Sequence, residues 1–149
     1  MTGESRALYG PARRRTKAKF LMADTLKFTE DHLWIRVEGK RAQLGISEYG
    51  QTELGEVIAL EVPDVGDELE RGEPFGEVES VRTVSELVAP VSGTVTAINT
   101  ELEEHPRIVN EDPLHEGWLV EIELADEAEL EDLMDLDEYE EYAGNQRGE

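Results

Sequence analysis

The sequence predicts a small all-β protein, a sandwich or flattened barrel of two antiparallel sheets with helices at its C-terminus. Three observations carry this. From Leu33 onward, apolar and polar residues alternate in short runs, the period-two pattern of half-buried strands. Closely spaced turn signals separate the runs: Gly39-Lys40, Pro63 to Gly66, Arg71 to Pro74, and Pro90 with Gly93. Beyond Asp126 the apolar spacing becomes helical, through Leu130, Leu133 and Met134.

Taken in order, Leu33, Ile35 and Val37 alternate with Trp34, Arg36 and Glu38, and Gly39-Lys40 offers a tight turn into a strand over 41–46. Ser47 to Leu54 is polar and reads as one helical turn. Glu56 to Val62 resumes as a strand with Ile58, Leu60 and Val62 on one face. Phe75–Ser80 and Thr83–Ala89 form a second strand pair with a very short connection around Val81-Arg82. Val91, Val95 and Ala97 then alternate with Ser92, Thr94 and Thr96. Trp118, Val120, Ile122 and Leu124 make the last strand, with Glu121 and Glu123 facing water. Asp126 followed by Glu129 resembles a capping box with aspartate as N-cap. Asp135 or Asp137 is a second candidate cap, for a turn ending at Gly144 with Tyr139 and Tyr142 on one face. The expected organisation is a basic, flexible N-terminal extension over 1–21, one domain over 22–144, and a tail over 145–149.

At 149 residues and 38% hydrophobic, the chain can bury a core of ordinary size. It has no cysteine, which excludes disulfides, thiolate metal sites and cysteine nucleophiles. No run approaches the roughly 18 apolar residues of a membrane-spanning helix. Charge is unevenly placed. Arg6, Arg13, Arg14, Arg15, Lys17 and Lys19 against Glu4 give residues 1–21 a net +5, leaving −27 for the rest and −22 overall. Such an acidic body repels phosphate backbones and anionic lipid, so neither nucleic-acid nor membrane binding is expected. The acidity fits solubility or a salty cytoplasm, and equally fits steering towards basic partner surfaces. Residues 1–21 lack the apolar centre of a secretory signal. They fit a plain extension, or a start codon placed too early with Met22 as the natural start. A cytoplasmic location is expected, or the mitochondrial matrix if residues 1–21 are a transit peptide.

No self-contained catalytic site is legible. His32, His105 and His115 lack the i, i+4 spacing of a helical zinc site, and no glycine-rich phosphate loop is present. Ser47, Ser80, Ser85 and Ser92 lack a nucleophile-elbow setting. A carrier or binding module is favoured over an enzyme.

The informative stretch runs from Gly76 to Gly93. Glu79-Ser80-Val81-Arg82 leads into Ala89-Pro90-Val91-Ser92-Gly93. Flanking it are Asp31-His32-Leu33-Trp34, Leu44-Gly45-Ile46-Ser47, Leu54-Gly55-Glu56-Val57, Val109-Asn110, Pro113 and Gly117-Trp118. In order and spacing these segments, covering about Leu26 to Tyr142, resemble the H-protein family of the glycine cleavage system. The resemblance implies a lipoyl-domain-like barrel-sandwich hybrid that is not itself an enzyme. It implies a protein shuttling the aminomethyl group of glycine on a lipoyl arm. The implied partners are glycine decarboxylase (the P protein), aminomethyltransferase (the T protein) and dihydrolipoyl dehydrogenase (the L protein), with a lipoate ligase or lipoyltransferase to load the arm. The implied cofactor-binding residues are Arg82 at the attachment position, Glu79, Ser80, Val81, Ser85 and Glu86 around it, and Asp31 and His32 from the opening strand.

Two positions depart from the family. Arginine stands at position 82, where the family has the lipoyl lysine. Lipoylation forms an amide with an amine that can shed its proton; a guanidinium stays cationic, its lone pairs delocalised. The lysines are Lys17, Lys19, Lys27 and Lys40, and none follows Lys40, so no attached lipoate is expected. Leu33 stands where the family usually has a glutamate near the loaded arm. Arg82 fits a lysine-to-arginine change, a natural paralogue without lipoate, or, least favoured, attachment elsewhere. The alternative function is a non-lipoylated, H-like partner-binding module. A lipoyl or biotinyl domain of another complex is disfavoured by the Glu79-Ser80-Val81 context and by Gly117-Trp118.

Overall fold

A computed structural model describes residues 26–146. The basic extension, Met22 to Thr25 and residues 147–149 lie outside the described residues. Strand β1 (Leu26–Phe28) leads into the hairpin of β2 (Leu33–Glu38) and β3 (Arg41–Ile46), closed by Gly39-Lys40 with Gly39 at φ 62°. Helix α1 (Glu48–Leu54) follows directly. Strands β4 (Val57–Glu61), β5 (Glu68–Leu69), β6 (Pro74–Ser80), β7 (Val84–Val88) and β8 (Gly93–Ile98) come next. Two single-turn helices, α2 (Glu101–Glu104) and α3 (Ile108–Glu111), precede β9 (Val120–Leu124). A 3-10 segment (Glu127–Asp132) and α4 (Leu136–Gln146) close the described chain.

The strands make two antiparallel sheets, not a closed barrel: a six-stranded one in the order β1-β2-β3-β9-β8-β5 and a three-stranded one in the order β4-β6-β7. Leu33, Ile35, Leu44, Val78, Leu87, Val95 and Ile122 meet in the main core. Strand β2 is buried on both faces. Leu33 and Ile35 point into that core. Trp34, which the alternation groups with Arg36 and Glu38, is fully buried on the opposite face. There it joins Phe28, Tyr139 and Ala143 in a second cluster under α4. The C-terminal helix covers the back of the sheet, a fact absent from the local pattern of β2.

Three further expectations shift. Ile58 does not share a buried face with Leu60. A bulge between Val57 and Ala59 turns Val57 inward and leaves Ile58 exposed. Trp118 precedes the last strand. Asp126 does cap, accepting from Ala128 N–H at 3.0 Å, but Glu129 does not complete the box. Its carboxylate instead accepts the N–H (2.7 Å) and hydroxyl (3.2 Å) of Ser92, tying the 3-10 segment to the turn before β8. The reciprocal box lies further on: Asp135 accepts from Glu138 N–H at 2.9 Å, and Glu138 accepts from Asp135 N–H at 3.0 Å. It starts α4, which continues two residues past Gly144.

Tyr139, brought in by α4, stacks on Phe28 with centroids 4.6 Å apart. Its hydroxyl lies 2.6 Å from Ser47 Oγ and 2.8 Å from His32 Nδ1. Burial pushes its phenol up to about 12, against a partial downward pull from the Ser47 hydrogen bond. The neutral form is the one the fold favours. Stability from Tyr139 is therefore fully present below its unfolded value of 10.0 and is lost as pH rises from there through about 12. Absorbance titration near 295 nm should show late-ionising tyrosine, to which Tyr142 also contributes because burial and the neighbouring Glu30 and Asp31 push its phenol up. Tyr139→Phe should remove part of it; a titration curve whose late component is unchanged by Tyr139→Phe would contradict this.

Candidate functional site

The β6–β7 hairpin turns in two residues. Ser80 N–H donates to Thr83 O at 2.8 Å, leaving Val81 and Arg82 at the apex. Ser80 organises the turn. Its buried hydroxyl oxygen accepts from the N–H groups of Arg82 and Thr83, each at 3.2 Å, and donates to Thr83 O at 3.2 Å. A serine so committed holds a turn and is not a nucleophile. Val81 N–H donates to Glu56 O at 2.9 Å, fastening the apex to the segment after α1.

Arg82 is exposed but engaged. Its Nη1 donates to Glu53 O at 3.0 Å and Thr52 O at 3.2 Å, carbonyls in the last turn of α1. That helix has no basic residue of its own in its last turn, so the hairpin supplies the cation that its C-terminal carbonyls favour. Gly55 makes the approach possible. Its φ is 81°, and a β-carbon there would lie 3.2 Å from Arg82 Nε and 3.3 Å from Val81 Cγ2. Asn110 braces the same corner. Its Nδ2 donates to Gln51 Oε1 (2.9 Å) and Gly55 O (2.8 Å), while Oδ1 accepts from Val57 N–H at 2.9 Å.

The other sequence-nominated residues divide. Glu79 and Glu86 lie exposed on the outer face of the three-stranded sheet, whereas Ser85 is half-buried opposite Val78. His32, whose carbonyl accepts from Ser47 N–H at 2.9 Å, sits with Asp31 by the start of α1, whereas Arg82 meets the other end of that helix. His32 occupies a left-handed backbone conformation (φ 69°) and packs against Tyr49 at 4.7 Å between ring centroids. Leu33 is buried in the main core and offers nothing to the surface. A cleft of about 460 Å³ runs beside α1, walled by Phe28, Tyr49, Leu136 and Tyr139, with Glu48, Glu53 and Glu140 also lining it. Among the described residues, no cluster of three or more His, Asp or Glu is arranged to hold a metal, and no helix is long and apolar enough to cross a membrane.

Local sequence reasoning missed the backing of the apex by α1 and Asn110. Gln51 and Asn110 are 59 positions apart, and no periodic pattern links them. The available signal was Ser47, whose hydroxyl accepts from Gly50 N–H at 3.0 Å and so starts α1.

Two packed sheets presenting one braced hairpin apex define a lipoyl-domain-like β-sandwich. The family described as "Glycine cleavage H-protein" matches residues 26–146. The glycine cleavage system H protein of Halalkalibacterium halodurans is 48% identical over 120 residues, which is 80% of this chain and 94% of that one. The protein of the same name from Staphylococcus haemolyticus is 50% identical over 119 residues, again 80% and 94%. A crystal structure of a glycine cleavage system H protein from Mycobacterium marinum superposes with a TM-score of 0.72 at 33% identity, covering 84% of this chain and 98% of that one. This chain belongs to the glycine cleavage H-protein family.

The residue at the apex does not fit the family's prosthetic group. Attachment of lipoate needs an amine that can be acylated, and the side chain present is a guanidinium donating two hydrogen bonds to helix carbonyls.

Proposed function

We propose that this chain serves the glycine cleavage system as its H-protein component in the cytoplasm. In this reading it is a non-catalytic body that presents one hairpin apex to glycine decarboxylase, aminomethyltransferase and dihydrolipoyl dehydrogenase. The supporting observation is the family match over residues 26–146, taken with an apex held from three sides by Ser80, Glu56 and the end of α1. Rigid presentation is what docking to several enzymes requires, because little conformational entropy remains to be lost on binding. Arg82 carries no lipoyl group in this reading, so no transfer step is assigned to the chain as it stands. Its residues hold the apex, keep Ser80 inside the turn and leave Val81 and Val84 exposed.

Competition tests the docking role. Excess parent protein, added to glycine decarboxylase with a lipoylated H protein from a relative, is expected to slow glycine–bicarbonate exchange severalfold. An undiminished rate at saturating excess would rule the reading out.

A further inference from the structure

The outer face of the three-stranded sheet is unusual in what it leaves uncovered. In register, Glu61, Glu77 and Glu86 stand directly opposite one another across β4, β6 and β7. The next row is Ala59, Glu79 and Val84. All six are exposed. Neighbouring strands lie about 4.8 Å apart, and like charges at that separation destabilise a sheet. Among the described residues, none of these four glutamates makes an ion pair. The same end of the molecule exposes Ile58 (49%), Val81 (60%) and Val84 (59%), and both β4 and β7 are edge strands.

The occupant that fits lies in the chain itself. Arg13, Arg15, Lys17 and Lys19 recur at every second position and are followed by Phe20-Leu21. Residues two apart in an extended chain share a face at intervals of about 7 Å, the interval that separates Glu77 from Glu79 along β6. The alternating cations thus match a surface of carboxylates. Reach is sufficient. Phe28, at the end of β1, and Val88, at the end of β7, line one shallow depression, so the start of the described chain lies beside the sheet in question. Lys19 is seven residues before Leu26 and Arg13 is thirteen, spans of up to ~23 Å and ~43 Å. The five residues of β7 extend about 17 Å. Tethering at such lengths gives an effective concentration in the millimolar range, so a weak electrostatic contact is populated.

We propose that the outer face of the β4-β6-β7 sheet is a docking surface for the chain's own basic segment, Arg13 to Lys19. The segment covers the glutamate rows in cis and reaches the valines flanking the apex. Proteins that approach the apex then compete with it.

The chain has no cysteine, so a single nitroxide on Thr16→Cys in the full chain reports where the segment lies. At low salt the amides of Glu77, Glu79, Val84 and Glu86 are expected to lose most of their NMR intensity, and those of the six-stranded sheet little. Intensity should return near 1 M salt, where the screening length falls to about 3 Å, and in a Glu61→Gln, Glu77→Gln, Glu86→Gln variant. Broadening that is uniform, strongest elsewhere, or insensitive to both salt and the variant overturns the proposal. So does broadening seen when labelled, isotope-free protein is mixed with unlabelled, isotope-enriched protein, because a second copy would then be the occupant.

Discussion

Replacing Arg82 with lysine is expected to convert an apex that cannot be acylated into one that a lipoate ligase loads. The surroundings are already in place. Position 82 sits at a two-residue turn whose backbone is fixed by Ser80 and by Val81 N–H to Glu56 O. The side chain there is exposed. What is missing is nucleophilicity. A lysine amine titrates near 10.4, so a small deprotonated fraction near neutrality can attack an activated acyl group, whereas a guanidinium offers no comparable lone pair. Intact mass after co-expression with a ligase and lipoate should be unmodified for the parent and increased by one lipoyl group for Arg82→Lys. Lys27 and Lys40 provide an internal control, because they lie on β1 and in the β2–β3 turn, away from the hairpin apex. A lipoyl adduct on the parent would refute the chemistry argued for Arg82. An unmodified lysine variant would mean that ligases no longer recognise the hairpin.

Trp34→Ala should cost about 3–5 kcal/mol, the range for removing a large buried aromatic side chain. The indole is completely buried and its Nε1–H donates to Pro113 O at 2.8 Å, pinning the α3–β9 loop across β2. Arg36 lies over the ring at 4.9 Å. The indole lies against Gly45, its cross-strand partner. A β-carbon at position 45 would overlap the indole atoms Cε2 and Cζ2, so only glycine leaves room. Gly45→Ala should therefore destabilise by about 1–3 kcal/mol through overpacking. The pair gives a sharper test than either change alone. In a Trp34→Ala background the methyl group has space, and Gly45→Ala should cost far less. Denaturant unfolding of the four proteins measures the coupling; strict additivity would show that the ring does not dictate the glycine.

Much of the fold was legible because strands announce themselves locally. The two hairpin turns and the alternation in β2, β8 and β9 rest on neighbours in sequence, whereas the helical spacing of Leu130, Leu133 and Met134 misleads: the 3-10 segment stops at Asp132, Leu133 is extended and Met134 bridges Phe28. The misreadings have one physical source, partners distant in the chain. Trp34 followed the alternation, but α4, a hundred residues on, buried the second face of its strand. Glu129 had the spacing of a capping box, yet Ser92 offered two donors and took its carboxylate. The bulge at Ile58 belongs to the pairing of β4 with β6, which no single segment encodes. At the site, the apex was readable from Glu79-Ser80-Val81-Arg82. Its support was not, because Arg82 meets the carbonyls of Thr52 and Glu53, and Asn110 joins Gln51 to Val57.

The guanidinium on the last turn of α1 makes position 82 a structural tether. A lysine there would keep a charge able to hold the same carbonyls, and modification would neutralise it. Ligation and tethering would then draw on one side chain, so each cargo taken up would unfasten the helix end behind it. In a chain bearing arginine no acylation neutralises that charge, so the fastening does not depend on cargo.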